Sequence, residues 1–393
     1  MFITMQIVFW TSVGLVLYAY VGYPVLMGLW ARVAGRPLRP QTAVPRGISI
    51  VIAAYNEQAT IGRRVEEFVA RLPRYDIGSE VIVVSDGSTD GTADAARAAS
   101  GGRNVRVIQM PRNGGKSVAL NVGVEAAVNP IVIFADARQT WGEDTLDRLL
   151  ENFADPEVGA ASGDLVLSND DGALAGVGLY WKMEKWLRRR ESMVHSSVGA
   201  TGAISAVRRE LFRPLSPGVI LDDVCWPVNV ALQGKRVIHD PRAVAFDHLP
   251  SKAGDEFRRK VRTLSGSFQL VQLQPRILWP VGNPVWFGFV SKKLARLAVP
   301  WAMILSLLSS GWLARGSNLY LALLVMQVAG YATGVLGLRW GAFGRNRLAS
   351  TIASLLVLNG AAFMAFWVWI MGRTGTAWKK AAYNAQPAAV VGS

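Results

Sequence analysis

Three β-branched runs of this chain stop on acidic or polar residues. GISIVIAAYN (47–56) runs into Glu57, EVIVVSDGS (80–88) carries Asp86, and IVIFAD (131–136) ends on Asp136. Carboxylates gathered at one edge can bind a divalent metal, the hydroxyls of a ribose or the edge of a base. Tyr55 and Asn56 follow the first run and add a ring and an amide. Arg112-Asn113-Gly114-Gly115-Lys116 puts a cation at the start of a helical run, an arrangement suited to phosphate oxygens. It is not a P-loop, and a surface loop before an amphipathic helix has the same composition. Asp86-Gly87-Ser88-Thr89-Asp90-Gly91-Thr92 is a turn that opens a helix. Ser88, Thr89 and Asp90 fit capping, whereas Asp86, at the strand end, fits a ligand role. The three histidines, His195, His239 and His248, have no metal-ligand spacing, although His248 stands near a strand end. Cys225 fits packing.

The elements that position these groups alternate. Strand-like runs at 47–56, 80–88, 104–110 and 131–136 are separated by stretches of helical spacing at 58–72, 92–99 and 116–127. Such alternation predicts an α/β domain with a mostly parallel, Rossmann-like sheet and helices on both faces. Ligands of such sheets bind at the carboxyl ends of the strands, where the acids lie.

The rest of the chain is apolar. Of 393 residues, 51% are hydrophobic and only 18% charged, and the formal net charge is +14. No nucleic-acid motif accompanies the basic surplus, so membrane flanks and a polyphosphate substrate account for it better than nucleic acid. A single cysteine excludes an intramolecular disulfide framework. Residues 1–31 form an uncharged anchor, followed by Arg32, Arg36, Arg39 and Arg46 in a linker over 32–46. Further apolar runs cover 294–315, 317–337 and 348–371; Arg339, Arg345 and Arg347 lie between the last two. These lengths suit bilayer spans, and the positive-inside rule places the middle of the chain in the cytoplasm. The division expected is an anchor (1–31), a catalytic domain (47–275), an aromatic interfacial segment (276–293), three spans (294–371) and a tail (372–393). Four spans put that tail outside, whereas its basic residues Arg373, Lys379 and Lys380 favour the cytoplasm.

Taken in order, AAYNE, VVSDGSTDGT, RNGGKSVALNVG, FADAR, SVGATGAISAVRRELF (197–212), ILDDVCWPVNVALQGKRV (220–237) and EFRRKVRTLSGSF (256–268) resemble the family 2 glycosyltransferases of GT-A fold. With the flanking spans, the chain is similar to the cellulose synthase, hyaluronan synthase and poly-N-acetylglucosamine synthase branch. The resemblance implies that Ala54, Tyr55, Glu57 and Asp86 hold the donor nucleoside and that Lys116 approaches its base or diphosphate. Asp136 matches the first acid of the family's DxD motif and would hold Mg²⁺ or Mn²⁺. Arg138 stands where the second acid is expected and could add its own charge to the phosphates. Arg259 and Arg262 fall on the family's Gln-x-x-Arg-Trp element, with Thr263 in the place of Trp, and would bind diphosphate. Thr201, Gly202 and Ala203 fall on the acceptor-lining turn, though a tight turn before a strand explains them too. Asp223 occupies the position of the general base, with Asp222 beside it on the acceptor side or capping the helix.

The activity these features imply is inverting hexosyl transfer from a nucleoside-diphosphate sugar, UDP-linked, by a multi-pass protein of the cell membrane. The product is a polysaccharide or, alternatively, a lipid-linked sugar, so the acceptor is a glycan or a lipid. Four spans are few for a polymer channel unless the chain forms a homo-oligomer or finds an export partner. A transporter or a nucleotide sensor without transferase activity is the reading from another class, and neither needs an acid beside an acceptor turn. The aromatic and basic stretch 180–190 suits a membrane surface or an acceptor wall, and Thr376-Ala377-Trp378-Lys379 faintly resembles a gating segment of related synthases.

Overall fold

The computed structural model describes residues 1–36, 47–102, 104–168, 175–248, 253–340 and 346–373. Arg39, Arg46, Arg345, Lys379, Lys380 and the 376–379 segment lie outside them.

The core is an eight-stranded sheet, β1 (Ile48–Ala54), β2 (Glu80–Ser85), β3 (Val105–Gln109), β4 (Ile131–Ala135), β5 (Thr140–Trp141), β6 (Val158–Ser168), β7 (Ile204–Arg208) and β8 (Arg236–His248), in the order β3-β2-β1-β4-β7-β6-β8-β5. β1, β2, β3 and β4 are mutually parallel, and β6 pairs parallel with β8. β7 runs against both of its neighbours, β4 and β6. The sequence β1–β4 consists of nearly continuous apolar residues because both faces are covered, as buried parallel strands require. On one face, Ile48, Ile50 and Ile52 pack with Ile61, Val65 and Phe68 of α2 (Gln58–Arg71). On the other, Val51 and Phe134 pack with Ala119, Leu120 and Val124 of α4 (Lys116–Ala126). α3 (Thr92–Ala98) and α5 (Thr145–Glu151) complete the first layer. α6 (Ala175–Val194), α7 (Asp222–Leu232) and α8 (Ala253–Leu273) join the sheet to the apolar helices.

Among the described residues, four helices are long and apolar enough to cross a membrane: α1 (Phe2–Ala34), α9 (Trp286–Leu313), α10 (Asn318–Arg339) and α11 (Arg347–Ile370). They bind one another through close approaches and aromatic edges. A Cβ on Gly334 of α10 would lie 2.3 Å from Leu356 of α11, and the Phe9 ring meets Tyr320 edge-on at 5.4 Å. Their outward surfaces carry exposed Ile3, Ile7, Leu319, Val325 and Met326.

Helix α9 begins inside the 276–293 stretch that the sequence assigns to the interface. Pro275–Leu278 is a 3₁₀ turn, but α9 already begins at Trp286 and passes through a π turn at Phe289–Leu294. Lys292 does not stop the helix, because it is buried against Glu184 and Glu191 of α6 instead of facing lipid.

α4 lies directly on β1 because residue 123 has no side chain: a Cβ there would lie 2.3 Å from Cγ1 of Val51. Gly123→Ala is expected to lower stability by about 1–3 kcal/mol, the usual cost of overpacking, and to lower turnover by displacing Lys116. Thermal unfolding of the detergent-purified protein, followed by turnover measurements, checks both.

Candidate active site

The loop after β1 and the loop after β2 are bound to each other by their own polar side chains. Asn56 adopts a positive φ of 52°, and its Oδ1 accepts from the Thr89 amide at 2.9 Å. Ser88 Oγ accepts from the Asn56 amide, and Thr92 Oγ1 accepts from the Glu57 amide at 2.8 Å. Asp90 accepts from the Gln58 amide at 3.2 Å and from the Thr92 amide at 3.0 Å, serving the starts of α2 and α3 together. Asp90 therefore caps, Ser88 accepts a backbone amide, and Thr89 donates to the Asn56 side chain. Ala54, Tyr55 and Glu57 remain at the carboxyl end of β1, beside this double loop.

Asp86 is buried, and both of its carboxylate oxygens accept backbone amides, Gly114 N at 2.7 Å and Gly115 N at 2.9 Å. The acid thus shapes the 112–116 turn. Gly115 has φ 86°, a conformation that strains any other residue, and the chain turns there directly into α4. Lys116 is consequently the first residue of α4.

The Lys116 ammonium lies 2.7 Å from Asp136 Oδ1 and 3.8 Å from Asp222 Oδ2. Burial opposes its charge, but Asp136, Asp222 and Asp223 outweigh burial and hold it above the ordinary lysine range. Asp222 is the first residue of α7 and makes no side-chain capping bond, so its carboxylate belongs to this cluster. Burial, reinforced by Asp223 and Asp136 and opposed by Lys116, pushes Asp222 up to about 6. Asp223 faces Gly202: from the position of a Cβ on Gly202, Asp223 Cβ is 3.7 Å away, its Oδ2 4.0 Å and Lys116 Nζ 3.6 Å. The Asp223 carbonyl accepts the Ala200 amide at 2.7 Å, which holds the acid against the turn.

Of the three residues of that turn, only Gly202 opens onto the charged cluster. Thr201 is buried, with its hydroxyl donating to the Gly163 carbonyl at 2.6 Å and accepting from Arg188 at 3.0 Å. Ala203 is also buried, and its carbonyl accepts from the Trp141 indole at 3.2 Å. Arg138 likewise points elsewhere than expected. Its guanidinium forms a two-pronged pair with Asp247 of β8, at 3.0 and 2.7 Å, and Gln139 donates to the same acid. A bidentate fork satisfied by a carboxylate is a structural brace between the β4 loop and β8. Arg259 and Arg262 lie on α8, whose Gly266 sits against Leu221 so closely that a Cβ would come within 2.8 Å of Leu221 Cγ. α8 therefore supports the segment that delivers Asp222 and Asp223. His239 is buried with Nε2 2.9 Å from Asp164, and His195 contacts Ser196, so these two serve local networks; the His248 side chain lies outside the description.

Arg64 was not singled out from sequence. Fully buried on α2, it donates to the Asp136 carbonyl at 3.2 Å and to Glu67 at 2.6 Å, and stacks on Phe68 at 4.1 Å. Burial pushes its guanidinium down to about 10 against the pull of Glu67. The available signal was its place on the apolar face of α2, between Ile61, Val65 and Phe68.

Among the described residues, no three His, Cys, Asp or Glu side chains converge as a ready metal cage. A divalent ion that keeps waters and takes substrate phosphates needs only one or two carboxylates. Asp136 fits that role. Its carboxylate already attracts a cation, the Lys116 ammonium, at the carboxyl edge of the sheet.

Because the folded state raises the Asp222 pKa, it binds a proton more tightly than the unfolded chain, and stability falls as pH rises from the ordinary carboxylate range through about 6. Asp222→Asn is expected to melt at a higher temperature than the parent at pH 8 and to lose that advantage below pH 4. Melting curves of both proteins across that range check it.

Residues 49–215 match the model for "Glycosyl transferase family 2". The chain is 24% identical over 231 residues to the poly-beta-1,6-N-acetyl-D-glucosamine synthase of Staphylococcus aureus (strain COL), a match covering 57% of this chain and 55% of that protein. With the synthase of the same name from Staphylococcus epidermidis RP62A, identity is 23% over 241 residues, covering 60% and 57%. The aligned region thus spans about half the length of these curated relatives. The mannosyltransferase PcManGT from Pyrobaculum calidifontis, solved in complex with GDP-Man and Mn²⁺, superposes with a TM-score of 0.70 at 22% identity, covering 93% of this chain and 99% of that one. That likeness establishes the GT-A fold and extends over the apolar helices as well as the sheet. Residues 49–215 thus match the glycosyl transferase family 2 model, and the chain as a whole, with its four helices of membrane-spanning length, has the GT-A fold.

Proposed function

We propose that this protein is a membrane-bound inverting glycosyltransferase that adds sugar from a nucleoside-diphosphate donor to a growing exopolysaccharide. The observation that carries the reading is the convergence of Lys116, Asp136, Asp222 and Asp223 beside the side-chain-free Gly202. The similarity to poly-N-acetylglucosamine synthases supports the polymer product. The donor we infer is UDP-linked; the catalytic domain faces the cytoplasm, and the spans lie in the cell membrane.

In this reading Asp223 takes the proton of the acceptor hydroxyl as that oxygen forms its bond to the anomeric carbon. The bond from that carbon to the diphosphate oxygen breaks on the opposite face, and the nucleoside diphosphate departs. One displacement by one base inverts the anomeric centre, and no nucleophile–acid pair is needed. Lys116 supplies positive charge to the departing diphosphate. Gly202 leaves room for a sugar ring against the backbone, next to Asp223. Asp136 would hold Mg²⁺ or Mn²⁺, which when bound neutralises the diphosphate charge. Arg64 fixes the Asp136 backbone, Asp86 fixes the turn that ends at Lys116, and Ala54, Tyr55 and Glu57 flank the nucleoside. Arg259 and Arg262 approach from α8 toward the diphosphate.

Asp223→Asn is expected to keep donor binding and to lower transfer roughly a hundredfold or more, the usual cost of a lost general base. Calorimetric donor binding and nucleoside-diphosphate release, measured together, check this; turnover like that of the parent refutes the assignment.

The reaction as a whole is tested in vesicles holding the purified protein, with labelled donor outside. Long polymer that depends on Mg²⁺ or Mn²⁺ and is protected within the vesicles is the expected result. A single sugar on an extractable lipid replaces the polymer reading with glycolipid synthesis, and activity unchanged by chelation removes the metal from Asp136.

A further inference from the structure

A second charged cluster lies where α6 and α8 meet the spans. Lys292 Nζ is 3.2 Å from Glu191 Oε1 and 3.4 Å from Glu184 Oε2, and Arg296 pairs with Glu184. Glu191 also accepts from the Tyr23 hydroxyl of α1 at 2.7 Å. Both carboxylates are thereby engaged. Lys293, the next residue, has no ion-pair or hydrogen-bond partner among the described residues; the charged groups that face it are Lys292, Glu184, Asp223 and Arg188. With Arg188 and Asp223 included, four cations meet three carboxylates, and one positive charge is left over.

A cavity of about 100 Å³ opens on this cluster, lined by Lys293, Tyr20, Thr263, Ser267, Leu358 and Ala362 as well as by the paired charges. Two of its walls come from π turns, Tyr18–Gly22 in α1 and Phe289–Leu294 in α9. Such bulges re-aim side chains within a helix and are frequent at functional sites. Ser267 of α8 is 1% exposed, yet its hydroxyl has no hydrogen-bond partner among the described residues. Leu358 and Ala362 give the cavity an apolar side on α11, a membrane-length helix. A buried ammonium with no carboxylate in ion-pair contact, in a cavity that also holds an unbonded hydroxyl, is costly unless an anion completes it. The missing group must carry negative charge, accept hydrogen bonds and tolerate an apolar flank.

We propose that this cavity binds the phosphoryl group of a membrane lipid, with Lys293 as its counter-ion and Ser267 as a hydrogen-bond donor. Bound there, the lipid sits on the membrane side of Asp223, where α6 and α9 meet. The site is separate from the Lys116–Asp136 pair that serves the donor, and it does not depend on the sugar transferred.

The test uses the full chain in an uncharged detergent, with thermal unfolding followed during titration with short-chain phosphatidic acid, diacylglycerol of the same chains, and inorganic phosphate. Phosphatidic acid is expected to raise the melting temperature saturably and diacylglycerol to leave it unchanged. Lys293→Gln should weaken the phosphatidic acid effect at least tenfold, and Lys293→Arg should retain it. Ser267→Val, which keeps every charge but fills the cavity, should weaken it too and decides the matter if Lys293→Gln does not fold. Equal responses of the parent, Lys293→Gln and Ser267→Val to phosphatidic acid overturn the proposal, as does an equal effect of diacylglycerol. Saturation by inorganic phosphate at the same concentrations overturns the lipid as the source of the phosphoryl group.

Discussion

The Lys116 ammonium is the point on which the transfer site is assembled. Three carboxylates, from Asp136 after β4 and from Asp222 and Asp223 at the start of α7, crowd one edge of the sheet, and their mutual repulsion needs a cation close at hand. Lys116 supplies it, and its position is determined twice over. Gly123 lets α4 rest on Val51, which sets the height of the helix above β1, while Asp86 clamps the amides of Gly114 and Gly115, which sets where the helix begins. Asp86, a buried strand-end acid, thus aims Lys116 into the carboxylate cluster. Interactions of this kind are worth more in a shielded cleft than in water, so small displacements of α4 have large electrostatic consequences.

α6 ties this arrangement to the apolar helices. Glu184, Arg188 and Glu191 share one face at helical spacing. The first and last hold Lys292 and Arg296 of α9, while Arg188 grips Thr201 of the turn that faces Asp223. One continuous helix therefore joins the base of α9 to the turn beside Asp223, with no loop between.

Much of the domain could be read from residue order because buried parallel strands leave an unmistakable pattern. The runs that became β1, β2 and β4 are largely apolar, and their carboxyl ends, which carry Glu57, Asp86 and Asp136, lie at one edge of the sheet as the strand-end rule requires. Ser88 and Asp90 were legible as turn residues because their side chains accept backbone amides, as capping residues do. What sequence did not reveal depends on distant partners. The brace from Arg138 to Asp247 spans more than a hundred residues, and the burial of Lys292 that lets α9 begin at Trp286 depends on two glutamates of α6. Asp223 was assigned by resemblance, and its closeness to Gly202 emerges only when α7 and β7 are packed together.

The reversed strand sets a scale for the cleft. β7 pairs with β4 residue for residue, and Ala135 lies opposite Ile204. The next residue along β4 is Asp136 and the preceding one on β7 is Ala203, so Asp136 and the 201–203 turn leave the same terminal rung of one ladder. Their separation is a gauge fixed by backbone hydrogen bonds, indifferent to loop length and to the lipid around the helices. Insertions in the surrounding loops can reshape the walls of the cleft, but its width at this point is not theirs to alter. A change of preferred sugar within this architecture therefore has to be written in side chains.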